Sequence, residues 1–184
     1  EVASRFLITH FFNPPRYLPL LEVVTSPEVD EDIVQRFCRF ADLKLGKRVT
    51  MCNDRPGFIG NRLGIYFIQR AFKATLDHGL SVEQADAMLG RPIGLPKTAV
   101  FALMDLVGID LIPHVTQSLL SHLPDEDPFH QIAGVGEDIV LSMIEEGYTG
   151  RKGKGGFYRL NRESGKKVKE ARDLSTGEDR KANR

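Results

Sequence analysis

The 184 residues predict a mainly α-helical protein with a small α/β portion at its N-terminal end. Residues 1–52 combine short runs rich in β-forming residues with one helical pattern. From Pro56 onward, apolar residues recur at helical spacing in one segment after another. The apolar fraction of 41% is enough to bury a core. We therefore expect an α/β fragment at 1–53, a helical domain at 54–160 and a charged tail at 161–184.

The α/β fragment is predicted from three strand-like segments and one helix. The segments are short and rich in β-forming residues, at positions 5–12, 19–24 and 48–52. Ser26 followed by Pro27 is typical of a helix start, and Gly46 is typical of a helix end. Helical spacing between these limits is kept by Ile33, Phe37, Phe40 and Ala41. The predicted order is strand, strand, helix, strand.

Five helices are predicted in the helical domain. They span residues 56–78, 81–90, 97–107, 109–122 and 135–146. The first is apolar on most sides over residues 63–68, which indicates a buried central helix. Ser81 and Gln84 have the spacing of a capping box. After Gly147 a glycine-rich loop leads into a short extended piece, whereas residues 163–184 are expected to be loosely ordered.

Charge and cysteine content argue against several classes of protein. The 25 basic residues balance the 25 acidic ones, so no global field attracts nucleic acid or an anionic membrane. No apolar run reaches the roughly 20 residues of a membrane-spanning helix. Cys38 and Cys52 form no CxxC pair, and we interpret them as core residues of a protein in a reducing, cytoplasmic compartment. The histidines show no metal-ligand spacing, so no metal is expected.

His10 and Glu22 are the first candidates for chemistry. With a period of two, each strand places a single ionisable group on an otherwise apolar face. A buried glutamate without a partner is costly, and a bond to His10 across the Pro-Pro turn removes that cost. Such a bond fixes the imidazole tautomer and stabilises the imidazolium, as a general base requires. A purely structural pair explains the pattern equally well.

Three further polar residues have a structural and a functional interpretation. Asn13 is either a turn residue before the prolines or part of a site. Asn61, in the first turn of the long helix, is either a surface residue or an amide donor to a substrate oxygen. Lys152 is either a solvated loop residue or a phosphate ligand. Spacings of three and four residues, typical of close helix packing, separate Gly57, Gly60 and Gly64. Neither GxGxxG nor GxxxxGK[ST] occurs.

Four motifs together resemble the L-3-hydroxyacyl-CoA dehydrogenases. They are THFFNPPRYLPLLEVV, RPGFIGNRLG, PIGLPKTAVFALMDLVGIDL and GRKGKGGFY, in order within residues 5–159. The resemblance implies a Rossmann-type NAD-binding domain, of which residues 1–53 are the last part, and a helical domain that forms a homodimer. It also implies oxidation of the 3-hydroxyl group of an acyl-CoA, with NAD as the hydride acceptor, in fatty acid β-oxidation.

The same resemblance implies roles for individual residues. His10 corresponds to the family's catalytic histidine, Glu22 to its carboxylate partner and Asn61 to its active-site asparagine. Asn13 and Lys152 correspond to cofactor contacts. The family's dinucleotide loop, ribose-binding acid and active-site serine precede the histidine motif, before which this sequence has nine residues. We therefore expect the isolated chain to lack turnover, and the alternative is a non-catalytic helical dimerisation or scaffold module.

Overall fold

The fold is described from a computed structural model of the chain. The structure describes residues 2–162, 165 and 167–183. The chain divides into two compact units, residues 1–63 and 64–184. The division follows Leu63, inside a helix. Within the described residues, no helix is both long enough and apolar enough to span a membrane.

The first unit contains a three-stranded sheet and one helix. In chain order these are β1 (Ile8–Phe11), β2 (Leu20–Val24), α1 (Glu31–Leu45) and β3 (Arg48–Cys52). β1 pairs antiparallel with β2, and β2 pairs parallel with β3. Parallel neighbours need a crossover, and α1 supplies it. The predicted strand, strand, helix, strand order is therefore present.

The start of α1 differs from the prediction. The helix is capped by Asp30, whose side chain accepts a hydrogen bond from the Asp32 N–H group. Ser26 instead accepts one from the Glu28 N–H group in the preceding turn. A serine hydroxyl bonds local backbone groups in turns as well as at helix ends, so Ser26-Pro27 was a misleading start signal. The predicted end is correct, since Gly46 adopts φ 62°.

The first unit has a small core. Leu21, Val23 and Ala41 are buried together, and Phe37 packs against them. Phe40, which shares the helical spacing of Phe37 and Ala41, is 50% exposed, so only part of that apolar face is covered. Cys52 is buried, whereas Cys38 is half-buried. Because side chains alternate along a strand, Glu22 lies on the opposite face of β2 from Leu21 and Val23.

Five helices account for most of residues 60–145. They are α2 (Gly60–Asp77), α3 (Val82–Met88), α4 (Phe101–Val107), α5 (Leu111–Leu120) and α6 (Glu137–Glu145). α2 begins four residues later than predicted, because Gly57 and Phe58 have positive φ values of 74° and 48°. The capping box of Ser81 and Gln84 is present at the start of α3.

Three phenylalanine rings form the centre of the second unit. Phe72, Phe101 and Phe157 meet edge to face, with ring centroids 4.9–5.8 Å apart. α2 supplies Phe72, and its burial is concentrated in this later half of the helix. Leu63, expected to be buried, is 65% exposed.

The C-terminal segment forms a second sheet. Its antiparallel strands are β4 (Tyr158–Asn161), β5 (Val168–Arg172) and β6 (Asp179–Lys181), in that spatial order. The expected loosely ordered tail is therefore wrong for residues 167–183. The same expectation for residues 163, 164, 166 and 184 lies outside the described residues.

Ion pairs account for this difference. Arg172 is 4% exposed and reaches Glu146 at 2.9 Å. Arg180 makes two bonds to Glu83, of 2.8 and 2.9 Å. Paired charges of this kind permit burial that an isolated charge would forbid. A count of charged residues does not reveal the pairing, and for this reason the segment resembled a disordered tail.

Candidate active site

His10 and Glu22 are direct neighbours across β1 and β2. They are register partners in the antiparallel pair, and His10 Nδ1 lies 2.7 Å from Glu22 Oε2. The Glu22 side chain is 1% exposed, whereas that of His10 is 29% exposed. With Nδ1 bonded to the carboxylate, Nε2 is the ring nitrogen available to a ligand. A buried carboxylate therefore stands behind a partly exposed imidazole, as predicted for the pair.

The other oxygen of Glu22 receives two backbone hydrogen bonds. The N–H groups of Ile59 and Gly60 donate to Oε1 at 3.0 and 2.7 Å. Burial alone would raise the pKa of Glu22. The bond to His10 and the two N–H groups outweigh burial and hold that pKa below its ordinary value of 4.5. Glu22 is therefore ionised near neutral pH.

Aromatic and thiol groups surround the pair. The His10 ring lies 4.6 Å from the Phe12 ring and 6.0 Å from the Phe58 ring, measured between centroids. Cys52 lies on β3, diagonal to Glu22 on the same sheet face. Burial first, and then the negative charge of Glu22, raise the pKa of the Cys52 thiol. The thiol therefore stays protonated beside the carboxylate.

The two asparagines lie at the ends of neighbouring elements. Asn61 is exposed in the first turn of α2, directly after Gly60. Asn13 is exposed beyond the end of β1 and precedes Pro14 in a cis peptide bond. The first unit thus places Asn61 next to the N–H group that holds Glu22. The roles of both asparagines toward a ligand stay predictions.

Lys152 belongs to the second unit. Its Nζ lies 2.7 Å from Asp110 Oδ1, and the lysine side chain is 53% exposed. This bond is the largest cause that holds the pKa of Asp110 below its ordinary value. The loop around Lys152 is closed by a backbone bridge between Gly150 and Gly155. Lys152 is thus already paired, and its role toward a phosphate stays a prediction.

Sequence reasoning missed the backbone donors to Glu22. The glycine spacing was the available signal, and it indicated close packing. That interpretation is correct at Gly60, where an added Cβ would overlap the Phe12 ring. It is wrong at Gly64, where an added Cβ would have no atom within 4 Å, and Gly57 lies in the turn before α2.

The start of α1 does not form a cradle for the pyrophosphate of a dinucleotide. Such cofactors place their pyrophosphate at a helix N-terminus after a glycine-rich turn. Residues 25–30, which lead into α1, contain no glycine, and three carboxylates stand at its start: Asp30, Glu31 and Asp32. These charges repel a pyrophosphate. In the part of the chain that the structure describes, no group of three or more His, Cys, Asp or Glu side chains is arranged to hold a metal ion.

Two family profiles match this sequence, one for each of its two parts. Residues 57–160 match the profile described as 3-hydroxyacyl-CoA dehydrogenase, C-terminal domain. Residues 1–55 match the profile described as 3-hydroxyacyl-CoA dehydrogenase, NAD binding domain. The two matches follow each other without overlap. They agree with the α/β order of the first segment and the helical order of the second.

Related sequences are considerably longer than this chain. A Rickettsia prowazekii protein, provisionally named a fatty acid oxidation complex trifunctional enzyme, is 40% identical over 175 residues, which cover 95% of this chain and 24% of that protein. A Mycobacterium tuberculosis protein named 3-hydroxybutyryl-CoA dehydrogenase is 33% identical over 159 residues, which cover 84% of this chain and 52% of that protein. The chain therefore spans from about a quarter to about half of these relatives.

Two solved structures also resemble this chain in fold and in sequence. M. tuberculosis FadB2 has a TM-score of 0.70 and 31% identity, over 86% of this chain and 53% of that one. The (S)-3-hydroxybutyryl-CoA dehydrogenase PaaH1 from Ralstonia eutropha has a TM-score of 0.63 and 28% identity, over 81% of this chain and 50% of that one. From these matches and from the order of its elements, the chain belongs to the 3-hydroxyacyl-CoA dehydrogenase family.

Proposed function

We propose that this chain supplies the catalytic base of an NAD-dependent (S)-3-hydroxyacyl-CoA dehydrogenase of fatty acid β-oxidation. The observation that carries the proposal is the 2.7 Å bond between a partly exposed His10 and a buried Glu22. The NAD-binding profile over residues 1–55 and the names of the relatives support an NAD-linked reaction on an acyl-CoA. NAD would supply the acceptor for the hydride that leaves the substrate.

In this proposal, His10 moves the proton of the reaction. Its Nδ1 donates to Glu22, so the lone pair on Nε2 accepts the proton of the substrate 3-hydroxyl group. The resulting imidazolium is stabilised by the negative charge of Glu22, 2.7 Å from the ring. In the reverse reaction, His10 returns the proton to the oxygen. Glu22 stays ionised throughout and holds the ring in place.

Asn61 is the proposed donor to a substrate oxygen, and Asn13 and Lys152 are the proposed cofactor contacts. The exposure of Asn61 at the start of α2 supports its role, because helix N-termini favour developing negative charge. Lys152 would have to exchange Asp110 for the cofactor. An exposed ion pair is worth only about 0–1 kcal/mol, so this exchange is energetically accessible.

We also propose that the 184-residue polypeptide has no turnover by itself. It contains no glycine-rich dinucleotide loop, and the start of α1 is acidic. The cofactor phosphates therefore need a binding loop from outside these residues. This proposal predicts that the chain alone oxidises no NADH with acetoacetyl-CoA.

Self-association through the helical part is a further proposal. Apolar side chains around the α4–α5 junction are exposed: Leu106, Val107 and Leu111 are 49%, 55% and 43% exposed. Exposed apolar groups that lie close together favour association. Sedimentation equilibrium tests a homodimer, and a strict monomer at high concentration would count against it.

The experiment that tests the proposed function measures NADH oxidation with acetoacetyl-CoA. Residues 1–184 are joined to a dinucleotide-binding segment of the same family, and the wild type is compared with His10→Gln. A general base contributes about 10²- to 10⁴-fold, so activity should fall by that factor. His78→Gln, a change at an exposed histidine after α2, is the matched control and should keep full activity.

Each outcome decides between the two candidate functions. Unchanged activity in His10→Gln would remove His10 from the mechanism. An extended wild-type chain that is folded and inactive would favour the non-catalytic helical module, in which the His10–Glu22 pair is only structural.

A further inference from the structure

Both oxygens of the Glu22 carboxylate are occupied. His10 forms a hydrogen bond with Oε2, and the N–H groups of Ile59 and Gly60 donate hydrogen bonds to Oε1. These two donors are far from Glu22 in the sequence and reach it through a sharp turn. In that turn, Gly57 and Phe58 both have positive φ values, of 74° and 48°. Phe58 is not a glycine, so its backbone carries strain that the surrounding structure must offset.

We propose that the Gly57–Gly60 turn is a positioning element of the His10–Glu22 pair and that Gly60 is its essential residue. The turn fixes the carboxylate through two backbone N–H groups and so fixes the imidazole that the carboxylate holds. The catalytic part of this inference rests on the proposed function. The positioning of Glu22 does not, because it concerns groups within the first unit alone.

Steric contacts explain why residue 60 is a glycine. A Cβ at this position would overlap the Phe12 ring and lie 2.8 Å from its Cε1 atom. It would also lie 3.4 Å from Glu22 Oε1. The Phe12 ring packs in turn on the imidazole of His10. A larger residue must therefore displace either Phe12 or the first turn of α2, and either shift disturbs the pair.

Electrostatics act in the same direction as geometry. α2 is 18 residues long, and its positive N-terminal end points its free N–H groups at Glu22. Among the described residues, titratable groups that face Glu22 are His10 from β1 and Cys52 from β3. The Cys52 thiol stays protonated there. The turn thus favours the ionised carboxylate, which is the form that stabilises an imidazolium.

Nuclear magnetic resonance of the 184-residue chain tests the positioning without any enzymatic assay. The Glu22 carboxyl carbon and the amides of Ile59 and Gly60 are followed during an acid titration. All three should report the same midpoint, below pH 4.5. Amides of Ile59 and Gly60 that do not follow Glu22 would overturn the inference, whatever any variant does.

Gly60→Ala is the variant that should disturb this arrangement. We expect the Glu22 midpoint to rise by about one pH unit, because one or both N–H bonds lengthen. Gly64→Ala is the matched control one turn later, where an added Cβ has no atom within 4 Å. That control should leave the Glu22 midpoint unchanged. A folded Gly60→Ala chain with an unchanged midpoint would contradict the inference.

The second measurement is activity in the extended dehydrogenase, in which residues 1–184 are joined to a dinucleotide-binding segment of the same family. Gly60→Ala should lower kcat by about 10- to 100-fold, since small misplacements of catalytic groups have effects of this size. The acid limb of the pH–rate profile should move to higher pH, which a merely structural defect would not produce. Adding Phe12→Leu makes room for the new methyl group and should restore most of the rate. Failure of that rescue, with the Glu22 midpoint unmoved, would refute the role of Gly60.

The two proposals fail separately. If Glu22 titrates with both amides but His10→Gln keeps full activity, the positioning element stands and the proposed dehydrogenase base is wrong. If His10→Gln abolishes activity but the Ile59 and Gly60 amides do not titrate with Glu22, His10 remains the proposed base and the positioning inference is wrong.

Discussion

Two buried carboxylates, one in each unit, have similar backbone partners and opposite pKa shifts. Glu22 is 1% exposed and Asp105 is 4% exposed. Each accepts hydrogen bonds from two backbone N–H groups. The pKa of Glu22 is held below 4.5, whereas burial raises the pKa of Asp105 to about 6. Backbone donors are common to both sites, so they do not explain the difference.

Burial and the remaining partner of each carboxylate explain it. Glu22 faces His10 at 2.7 Å, which can become a cation, whereas the negative charge of Asp86 adds to the effect of burial on Asp105. The two N–H groups hold each carboxylate in place. The bond to His10 helps to lower the pKa of Glu22, whereas burial is the largest cause that raises the pKa of Asp105. Asp105 therefore serves packing, because it fastens the start of β4 to α4. Glu22 is ready to stabilise an imidazolium.

The largest expected effect comes from Glu22→Gln. A glutamine can still accept from the backbone N–H groups, but its amide would donate to His10 Nδ1 and move the ring proton to Nε2. His10 then has no lone pair facing the substrate, so kcat in the extended dehydrogenase should fall by about 10²- to 10⁴-fold. Circular dichroism should show an unchanged helical fold. Glu137→Gln, at an exposed position in α6, is the control, and full turnover in Glu22→Gln would contradict the pairing.

The pair was predictable from sequence because it depends on local patterns. Strand alternation and a short connection put His10 and Glu22 on one sheet face, and the register confirms this arrangement. The backbone donors were not predictable, since Ile59 is 37 residues from Glu22 and reaches it through the positive φ of Phe58. No pattern marks a phenylalanine for that conformation.

Long-range pairing limited the prediction of the second unit in the same way. Asp105 receives its donors from Phe157 and from Tyr158, the first residue of β4, which lie 52 and 53 residues later. The C-terminal sheet depends on ion pairs such as that between Arg180 and Glu83, which are 97 residues apart. The helices were predictable because their apolar spacing and the Ser81 cap are local. Contacts between distant charged residues leave no periodic signal.

The next largest effect is a pH dependence of stability from Asp105. The pKa of Asp105 has its ordinary value of 3.8 in the unfolded chain and is about 6 in the fold, so the folded chain binds the proton more tightly. Stability from this group is therefore greatest below pH 3.8 and is lost as pH rises through 6, by roughly 3 kcal/mol in all. Asp105→Asn should remove that loss. Urea unfolding between about pH 3 and about pH 8 measures it as the difference between wild type and variant.

Glu22 should show the opposite sign in the same titration. Its pKa is lowered in the fold, so its contribution is present above pH 4.5 and is lost as pH falls through the lower folded value. The difference in stability between wild type and Glu22→Gln should therefore increase with pH. The difference between wild type and Asp105→Asn should decrease with pH. Two difference curves that slope the same way would contradict the comparison.

The smallest effect should come from Asp86→Asn. Burial is the main cause of the Asp105 shift, and the charge of Asp86 is a lesser one. Its removal should lower the Asp105 midpoint by less than about one pH unit. Carboxyl carbon resonances of Asp105 measure this shift, and Asp77→Asn on the exposed part of α2 is the control. A midpoint that stays at about 6 would assign the whole shift to burial.

The most direct test of the central claim is the tautomer of His10, measured by nitrogen resonance in the 184-residue chain at a pH where the ring is neutral. The bond to Glu22 predicts a proton on Nδ1 and a free lone pair on Nε2. In Glu22→Gln the proton should move to Nε2. A wild-type ring protonated on Nε2 would contradict the account, because that imidazole could not accept the proton of a substrate hydroxyl group.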